Sequence, residues 1–123
     1  MPLPAVFLAK SEACLRAELA GFTPATVEAM LRLREDATVA ALRAVLPGMI
    51  SFHLPRDKAP PPEPLRDEMR LREDLGLDSL ALTEMAFKIE ELTGAPIEIR
   101  EVSGIASVGA LIAFLEKKLE LEK

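Results

Sequence analysis

Apolar residues recur every three or four positions through most of this chain, which is the spacing of one face of an α-helix. The clearest case is the segment SLALTEMAFKIEEL at residues 79–92, whose apolar positions are Leu82, Met85, Ala86, Ile89 and Leu92. Gly94 and Pro96 come directly after it and are typical of a helix end. Because no stretch alternates apolar and polar residues as a strand does, the sequence predicts an all-α fold.

The first part of the chain predicts shorter helices. Residues 5–20 are interpreted as one short helix that ends at Gly21, with the apolar positions Val6, Leu8, Cys14, Leu15 and Leu19. These apolar residues are too many for a disordered extension, so we expect residues 1–36 to form one or two helices packed on the rest of the protein.

Residues 24–46 form either one helix or two. Thr23 is a typical N-cap, and the apolar stripe changes phase near Asp36, which favours a break there. Pro47-Gly48 is expected to end or kink the second helix. The prolines of residues 51–70 then predict a long ordered loop or a linker.

The C-terminal part continues the helical pattern. The segment IREVS predicts a single helical turn, and Ser107 is a typical N-cap for the last helix. The apolar stripe of that helix consists of Val108, Leu111, Ile112, Leu115 and Leu119.

Composition limits the partners and the compartment. A net charge of −5 argues against nucleic acid or an anionic membrane as a partner and favours partners with basic surfaces. The single cysteine, Cys14, excludes an internal disulfide, and its place on an apolar stripe predicts a small core residue. No stretch is apolar over the ~18 residues that a membrane span needs. We therefore expect a cytoplasmic protein that is monomeric.

Ser79 stands at the start of the clearest predicted helix, directly after Asp78. Ordinary helix capping by Asp78 is one interpretation of this pair. The preceding Leu-Gly-Leu supports a second one, because Gly76 permits a turn that leaves the Ser79 hydroxyl exposed at the positive end of the helix dipole. That position suits a serine that carries a phosphodiester.

The segment EDLGLDSLALTEM, the helix AFKIEELTG and the downstream IEIREVSGIASVGALIAFL together resemble the acyl carrier proteins of fatty-acid and polyketide synthesis. The resemblance covers roughly residues 65–120. It implies that Ser79 carries a covalent 4′-phosphopantetheine arm, with Gly76, Asp78 and Leu80 forming its attachment site. It also implies a phosphopantetheinyl transferase as a partner, and acyl groups held as thioesters on the arm and delivered to enzymes of fatty-acid, lipid or polyketide synthesis.

The resemblance implies a four-helix bundle, and this chain departs from it in length. We expect a carrier domain at residues 37–120, with its first helix at 38–46, a Pro-rich loop at 47–73 and the remaining helices at 78–120. Residues 1–36 would be an N-terminal helical extension that restricts which enzymes reach Ser79. The chain is thus expected to be a specialised carrier.

If the apolar stripe of the Ser79 helix faces inward, its other side faces solvent. The predicted partner-binding residues on that side are Leu80, Thr83, Glu84, Phe87 and Glu91. Apolar side chains among acids suit acyl-transferring or acyl-modifying enzymes with basic surfaces. Two residues depart from the family pattern: Ala81 stands where an acid is common, and Lys88 interrupts the acidic run and is expected to pair with Glu84.

Two alternatives to an acyl carrier stay open at this point. One is a peptidyl or aminoacyl carrier, and the other is an unmodified helical interaction subunit with the carrier fold. An enzyme is not expected, because no set of side chains forms a catalytic constellation and His53 lies alone in the Pro-rich segment. Asp74 and Asp78 lack the spacing of an EF-hand loop, so no metal site is predicted.

Overall fold

A computed structural model describes residues 3–55, 57 and 61–123 of the 123-residue chain. Helices are the regular elements of these residues, with isolated bridges in place of strands, and this confirms the all-α prediction. In chain order the helices are α1 (Ala5–Ala9), α2 (Glu12–Glu18), α3 (Pro24–Asp36), α4 (Val39–Phe52), α5 (Ser79–Thr93), α6 (Ile99–Val102) and α7 (Val108–Leu119).

One apolar core joins the N-terminal helices to the rest of the bundle. The predicted inward stripes of α5 and α7 are buried in it without exception. Phe7 of α1, Leu15 of α2 and Met30 of α3 belong to the same cluster. Residues 3–36 thus pack on the rest of the protein, as three helices and not the one or two expected. The boundary between an extension and a carrier domain stays a prediction.

The single helix predicted for residues 5–20 is wrong, since it is divided at Ser11 into α1 and α2. The Ser11 hydroxyl accepts a hydrogen bond from the Cys14 N–H at 3.0 Å and so starts a new helix. Phe7 is the buried residue of α1, whereas Val6 and Leu8 on either side of it are exposed. Cys14 is exposed as well, which corrects its prediction as a core residue.

The predicted break between α3 and α4 is confirmed. Ala37 ends α3 in the left-handed conformation with a φ of 55°, and the Thr38 side chain caps α4 by accepting from the Ala41 N–H at 3.2 Å. Farther along, the two helices cross closely, because the backbone of Gly48 packs directly against Thr26. The N-terminal extension is thus joined to α4 along a helical hairpin.

Pro47 does not end α4, so the helix predicted at residues 38–46 and the start of the loop at residue 47 are wrong. The helix continues to Phe52. A proline inside a helix costs ~3 kcal/mol. Here Met49 and Ile50 continue the apolar stripe beyond it and are fully buried, and burying two such side chains stabilises by ~1.5–3 kcal/mol each. This burial offsets the cost of the proline.

The Pro-rich segment is an ordered loop over most of its length. Leu65, Met69 and Leu71 are buried in the common core, which distinguishes this loop from a free linker. Residues 56 and 58–60 of the predicted loop lie outside the described residues. None of the helices in the described ranges has the length and apolar character of a transmembrane span.

Residues after α7 return to the junction between α3 and α4. The Val39 N–H donates to the Glu122 carbonyl at 2.8 Å, and the Glu122 N–H donates to the Ala37 carbonyl at 2.9 Å. Leu121 is buried beside this bridge. The last residues therefore hold the junction of the N-terminal helices with α4.

Candidate functional site

Ser79 is the first residue of α5, and Asp78 before it provides the helix cap. The Asp78 backbone is extended, and its Oδ1 accepts a hydrogen bond from the Ala81 N–H at 2.8 Å. The capping interpretation is thus correct for Asp78, and the Ser79 hydroxyl is not needed as the helix cap. Ser79 is exposed at the end of the helix where unpaired N–H groups give a positive potential.

The turn before Ser79 depends on Gly76. Gly76 has a φ of +76°, a left-handed conformation in which a Cβ is strained, so the glycine expected to permit a turn is confirmed in that role. Its N–H donates to the Arg72 carbonyl at 3.0 Å, and the Leu77 N–H donates to the Leu71 carbonyl at 2.8 Å. Leu77 is buried, which fixes the direction in which the chain enters α5.

An ion pair closes this turn, and a backbone hydrogen bond ties it to the start of α7. Arg70 donates to the two carboxylate oxygens of Asp74 from its side chain at 3.1 and 3.3 Å and from its backbone N–H at 2.7 Å. These bonds from Arg70 hold the pKa of the Asp74 carboxyl below its ordinary value. The Val108 N–H donates to the Met69 carbonyl at 2.9 Å, so the turn is also tied to α7.

Ser79 borders a groove of about 620 Å³ between the start of α5, the preceding turn and the α6 segment. Apolar side chains form most of its wall, and they are Leu71, Leu77, Leu80, Leu82, Ile99, Val102, Ile105 and Ala106. Arg72, Glu73 and Ser103 contribute polar groups. Sequence patterns did not identify the groove as a whole, because three separate segments supply its walls.

These surroundings fit a 4′-phosphopantetheine arm on Ser79. The hydroxyl is exposed, and a phosphodiester there would meet the positive end of α5. An extended amide-containing chain with an apolar cargo matches a groove with apolar walls and a few polar groups. Among the described residues there is no His, Cys, Asp and Glu cluster that could hold a metal ion.

The outward side of α5 has the residues predicted for it. Leu80 and Phe87 are 67% and 44% exposed, and Glu84 and Glu91 are exposed beside them. Thr83 is half-buried, and its hydroxyl donates to the Ser79 carbonyl at 2.8 Å.

Lys88, also on α5, has a different partner from the one predicted. It pairs with Glu91 at 3.3 Å, so the expected pair with Glu84 is wrong.

The N-terminal helices contact α5 at the end away from Ser79. The Lys10 ammonium donates to the Glu91 carbonyl, and Val6 lies against Gly94. Fifteen residues at ~1.5 Å each place Gly94 about 22 Å along the helix from Ser79. Among the described residues these contacts are remote from Ser79, and the hypothesis that the extension restricts access to Ser79 stays a prediction.

His53 takes part in local packing at the end of α4. Its Nδ1 lies 2.8 Å from the Met49 carbonyl, and its ring packs edge-on against Phe52 at 5.2 Å between centroids. Phe52 itself stacks on Phe22 at 3.9 Å. This cluster accounts for the histidine without a catalytic role.

Comparison with known proteins gives one family model, described as "Phosphopantetheine attachment site", which matches residues 57–115. The chain is 43% identical over 49 residues to the acyl carrier protein of Saccharopolyspora erythraea, a match that covers 40% of this chain and 52% of that protein. It is 34% identical over 53 residues to the acyl carrier protein of Thermotoga maritima, covering 43% of this chain and 65% of that protein.

A third relative is matched over more of its own length. This is the acyl carrier protein of Wolinella succinogenes, 36% identical over 55 residues, with 45% of this chain and 72% of that protein covered. The chain thus spans between half and two thirds of the length of the first two relatives. No solved structure gives a significant match.

Proposed function

The chain belongs to the acyl carrier protein family, and on this premise we propose that it carries acyl groups on a 4′-phosphopantetheine arm attached to Ser79. The observation that carries the assignment to this serine is its place at the exposed first position of α5, with the cap supplied by Asp78. Family membership confirms the predicted cofactor, and it supports the proposal of a carrier that does not itself catalyse a reaction.

Loading needs one reaction at the Ser79 oxygen. Its Oγ forms a bond to the phosphorus of the pantetheine phosphate of coenzyme A, the bond to adenosine 3′,5′-bisphosphate breaks, and the hydroxyl proton passes to the transferase. The Mg²⁺ for this reaction belongs to the transferase. Once attached, the arm supplies a terminal thiol that holds an acyl group as a thioester.

The residues around Ser79 position it for that reaction. Asp78 fixes the start of α5, and Gly76 and Leu77 fix the turn that leads into it. The positive end of α5 stabilises the phosphodiester, an effect worth ~0.3–1 kcal/mol at an exposed site. The groove beside Ser79 gives the arm or its acyl cargo an apolar surface to lie on.

We assign partner binding to the outward side of α5. Leu80 and Phe87 provide exposed apolar contacts, and Glu84, Glu91 and Thr83 provide the polar surroundings. The transferase and the acyl-handling enzymes would approach this side with basic surfaces, since opposite charges steer two proteins together.

Several finer points rest on likeness to the relatives. The relatives are named acyl carrier proteins, which favours an acyl cargo over a peptidyl or aminoacyl one. Enzymes of fatty-acid, lipid or polyketide synthesis are the proposed recipients, and a cytoplasmic monomer is the proposed form.

Intact-mass measurement tests the assignment of Ser79. The protein is incubated with coenzyme A, Mg²⁺ and a broad-specificity phosphopantetheinyl transferase, and a known carrier serves as the positive control. We expect one added phosphopantetheinyl group on the wild type and none on Ser79→Ala. Ser103→Ala is the matched control, since Ser103 borders the same groove, and it should be modified as the wild type is. An unmodified wild type beside a fully loaded control would favour the unmodified interaction subunit.

A further inference from the structure

Gly94, at the end of α5, leaves a gap that Val6 of the N-terminal extension fills. A Cβ built on Gly94 would lie 2.6 Å from the Val6 Cβ, closer than two such carbons can approach. The Val6 side chain therefore occupies the place where a side chain at position 94, the cap that follows α5, would begin. Val6 is nevertheless 53% exposed, so its outer surface remains open to solvent.

Position 94 continues a line that starts at Leu80. Leu80, Phe87 and Gly94 follow one another at seven-residue intervals, and residues seven apart lie on nearly the same side of a helix, ~10 Å from one to the next. Two of these positions have exposed apolar side chains, and at the third the side chain comes from α1. We call Leu80, Phe87 and Val6 the apolar row.

Four contacts hold Val6 at the end of this row. Phe7, the next residue, is fully buried in the core, which anchors α1. Lys10 donates to the Glu91 carbonyl and pairs with Glu18 at 2.7 Å, and Arg34 donates to the Lys10 carbonyl. The α1 segment is thus tied to α5, α2 and α3 at one point, and the position of Val6 follows from these ties.

Acidic side chains stand along both edges of the apolar row. Glu84 and Glu91 lie on one edge, where both are exposed, and Glu90 lies on the other, half-buried. Lys88 is about a quarter-turn of the helix from the row, on the same side as Glu84, and pairs with Glu91. A partner that lies along the row therefore meets apolar contacts in the middle and negative charge on both sides.

We propose that the apolar row docks an amphipathic helix of a partner protein, with apolar side chains at seven-residue intervals and Lys or Arg beside them. Contacts at seven-residue intervals require two helices that stay together over the whole length of the row. Helices that cross at ~20° do so. The N-terminal extension then adds a third contact to the partner surface of α5. This inference rests on the proposed function only in taking the outward side of α5 as the partner surface.

A synthetic peptide of about 18 residues tests the proposal, which is enough for two and a half heptads. It has leucines at seven-residue intervals, lysines beside them and alanines elsewhere, and it is titrated into the isotope-labelled full chain by NMR. We expect shifted signals at Leu80, Phe87, Gly94 and the α1 segment. Val6→Lys should raise the Kd by about tenfold, and Val6→Ala by about threefold.

Leu8→Lys is the matched control, because Leu8 is 48% exposed on the opposite flank of α1 and gains the same charge. It should leave the Kd within about twofold of the wild type. Circular dichroism tests whether each variant is folded. If Val6→Lys is unfolded, the Kd of Val6→Ala compared with that of the wild type tests the proposal. The proposal would be overturned if Val6→Lys and Leu8→Lys raised the Kd equally, or if Val6→Ala left the Kd unchanged.

Two further results are distinguishable in the same series. The NMR signals of the apolar row could shift with protein concentration before any peptide is added. If Val6→Lys abolished this concentration dependence, two copies of the chain would pair here, and the partner-helix proposal would be overturned. Loading of Ser79 is measured on the same samples. A loaded Ser79 with no role for Val6 refutes this inference alone, whereas an unloaded Ser79 counts against the proposed function.

Discussion

Replacing Gly48 by alanine tests whether the N-terminal extension is built into the bundle as closely as described above. A Cβ at this position would lie 1.8 Å from the Thr26 Oγ1, 2.8 Å from its Cβ and 2.9 Å from its Cγ2. Thr26 is only 5% exposed, and its hydroxyl is hydrogen-bonded to the Thr23 hydroxyl at 2.8 Å. It has little room to move, so Gly48→Ala must push α3 and α4 apart.

The expected change in the free energy of unfolding is the difference between the cost of overpacking and the gain in helix propensity. Overpacking a well-filled interior costs ~1–3 kcal/mol, and three contacts below 3.0 Å place this site in the upper half of that range. Alanine also gains up to ~1 kcal/mol over glycine in the middle of a helix. We therefore expect Gly48→Ala to lower the free energy of unfolding by about 1–2 kcal/mol.

Urea unfolding of four variants measures this effect. The set comprises Gly48→Ala, Thr26→Ala, the double variant and Gly104→Ala as the matched control, because a Cβ on Gly104 meets nothing within 4 Å. The double variant should be more stable than the sum of the single changes predicts by about 1 kcal/mol, since Thr26→Ala removes two of the three close atoms. The control should stay within ~0.5 kcal/mol of the wild type.

A Gly48→Ala protein as stable as the Gly104→Ala control would refute the close crossing of α3 and α4. If the changes in the free energy of unfolding were additive in the double variant, the cost of Gly48→Ala would not arise from contact with Thr26. Either result would remove the physical basis for treating the extension as part of the bundle.

Further predictions concern α5 and the turn before it. Ile89→Ala should lower the free energy of unfolding by about 2–5 kcal/mol and Phe87→Ala by far less, since only Ile89 is buried; the reverse order in urea unfolding would mean that α5 is rotated. Asp78→Ala should cost about 1 kcal/mol by removing the cap and should slow loading in a timed mass assay, while Asp78→Asn keeps both near wild type. Asp74 has a lowered pKa because of Arg70, so its contribution to stability is present above pH ~4 and lost as the pH falls through its folded pKa. Asp74→Asn should accordingly be less stable than the wild type at neutral pH, and the difference should shrink in urea unfolding at acidic pH; a constant difference would contradict this.

The orientation of α5 could be predicted from sequence because it depends on local rules. Its apolar residues follow the period of a helix, Asp78 is a standard cap, and Gly76 is the residue type that a left-handed turn needs. Each of these signals lies within a few residues of the position that it determines, and the structure has all three.

The errors arose where distant residues decide the outcome. Pro47 predicts a helix end by local rules, but α4 continues past it because Met49 and Ile50 are buried in the common core. The place of Val6 depends on the gap at Gly94, a residue far along the chain with no pattern to connect the two. The groove beside Ser79 likewise needs three segments to meet, which periodicity within one segment does not show.

The bridge between Glu122 and the α3–α4 junction has a consequence for the motions of the molecule. Together with the close crossing at Gly48, it restrains α4 from two directions, so α3, α4 and the end of α7 should open only when the whole protein unfolds. The α6 segment is a helix of 4 residues with an exposed Ile99. We therefore expect local opening of the native state to concentrate on the α6 side, where the groove next to Ser79 would widen while the rest of the bundle stays closed.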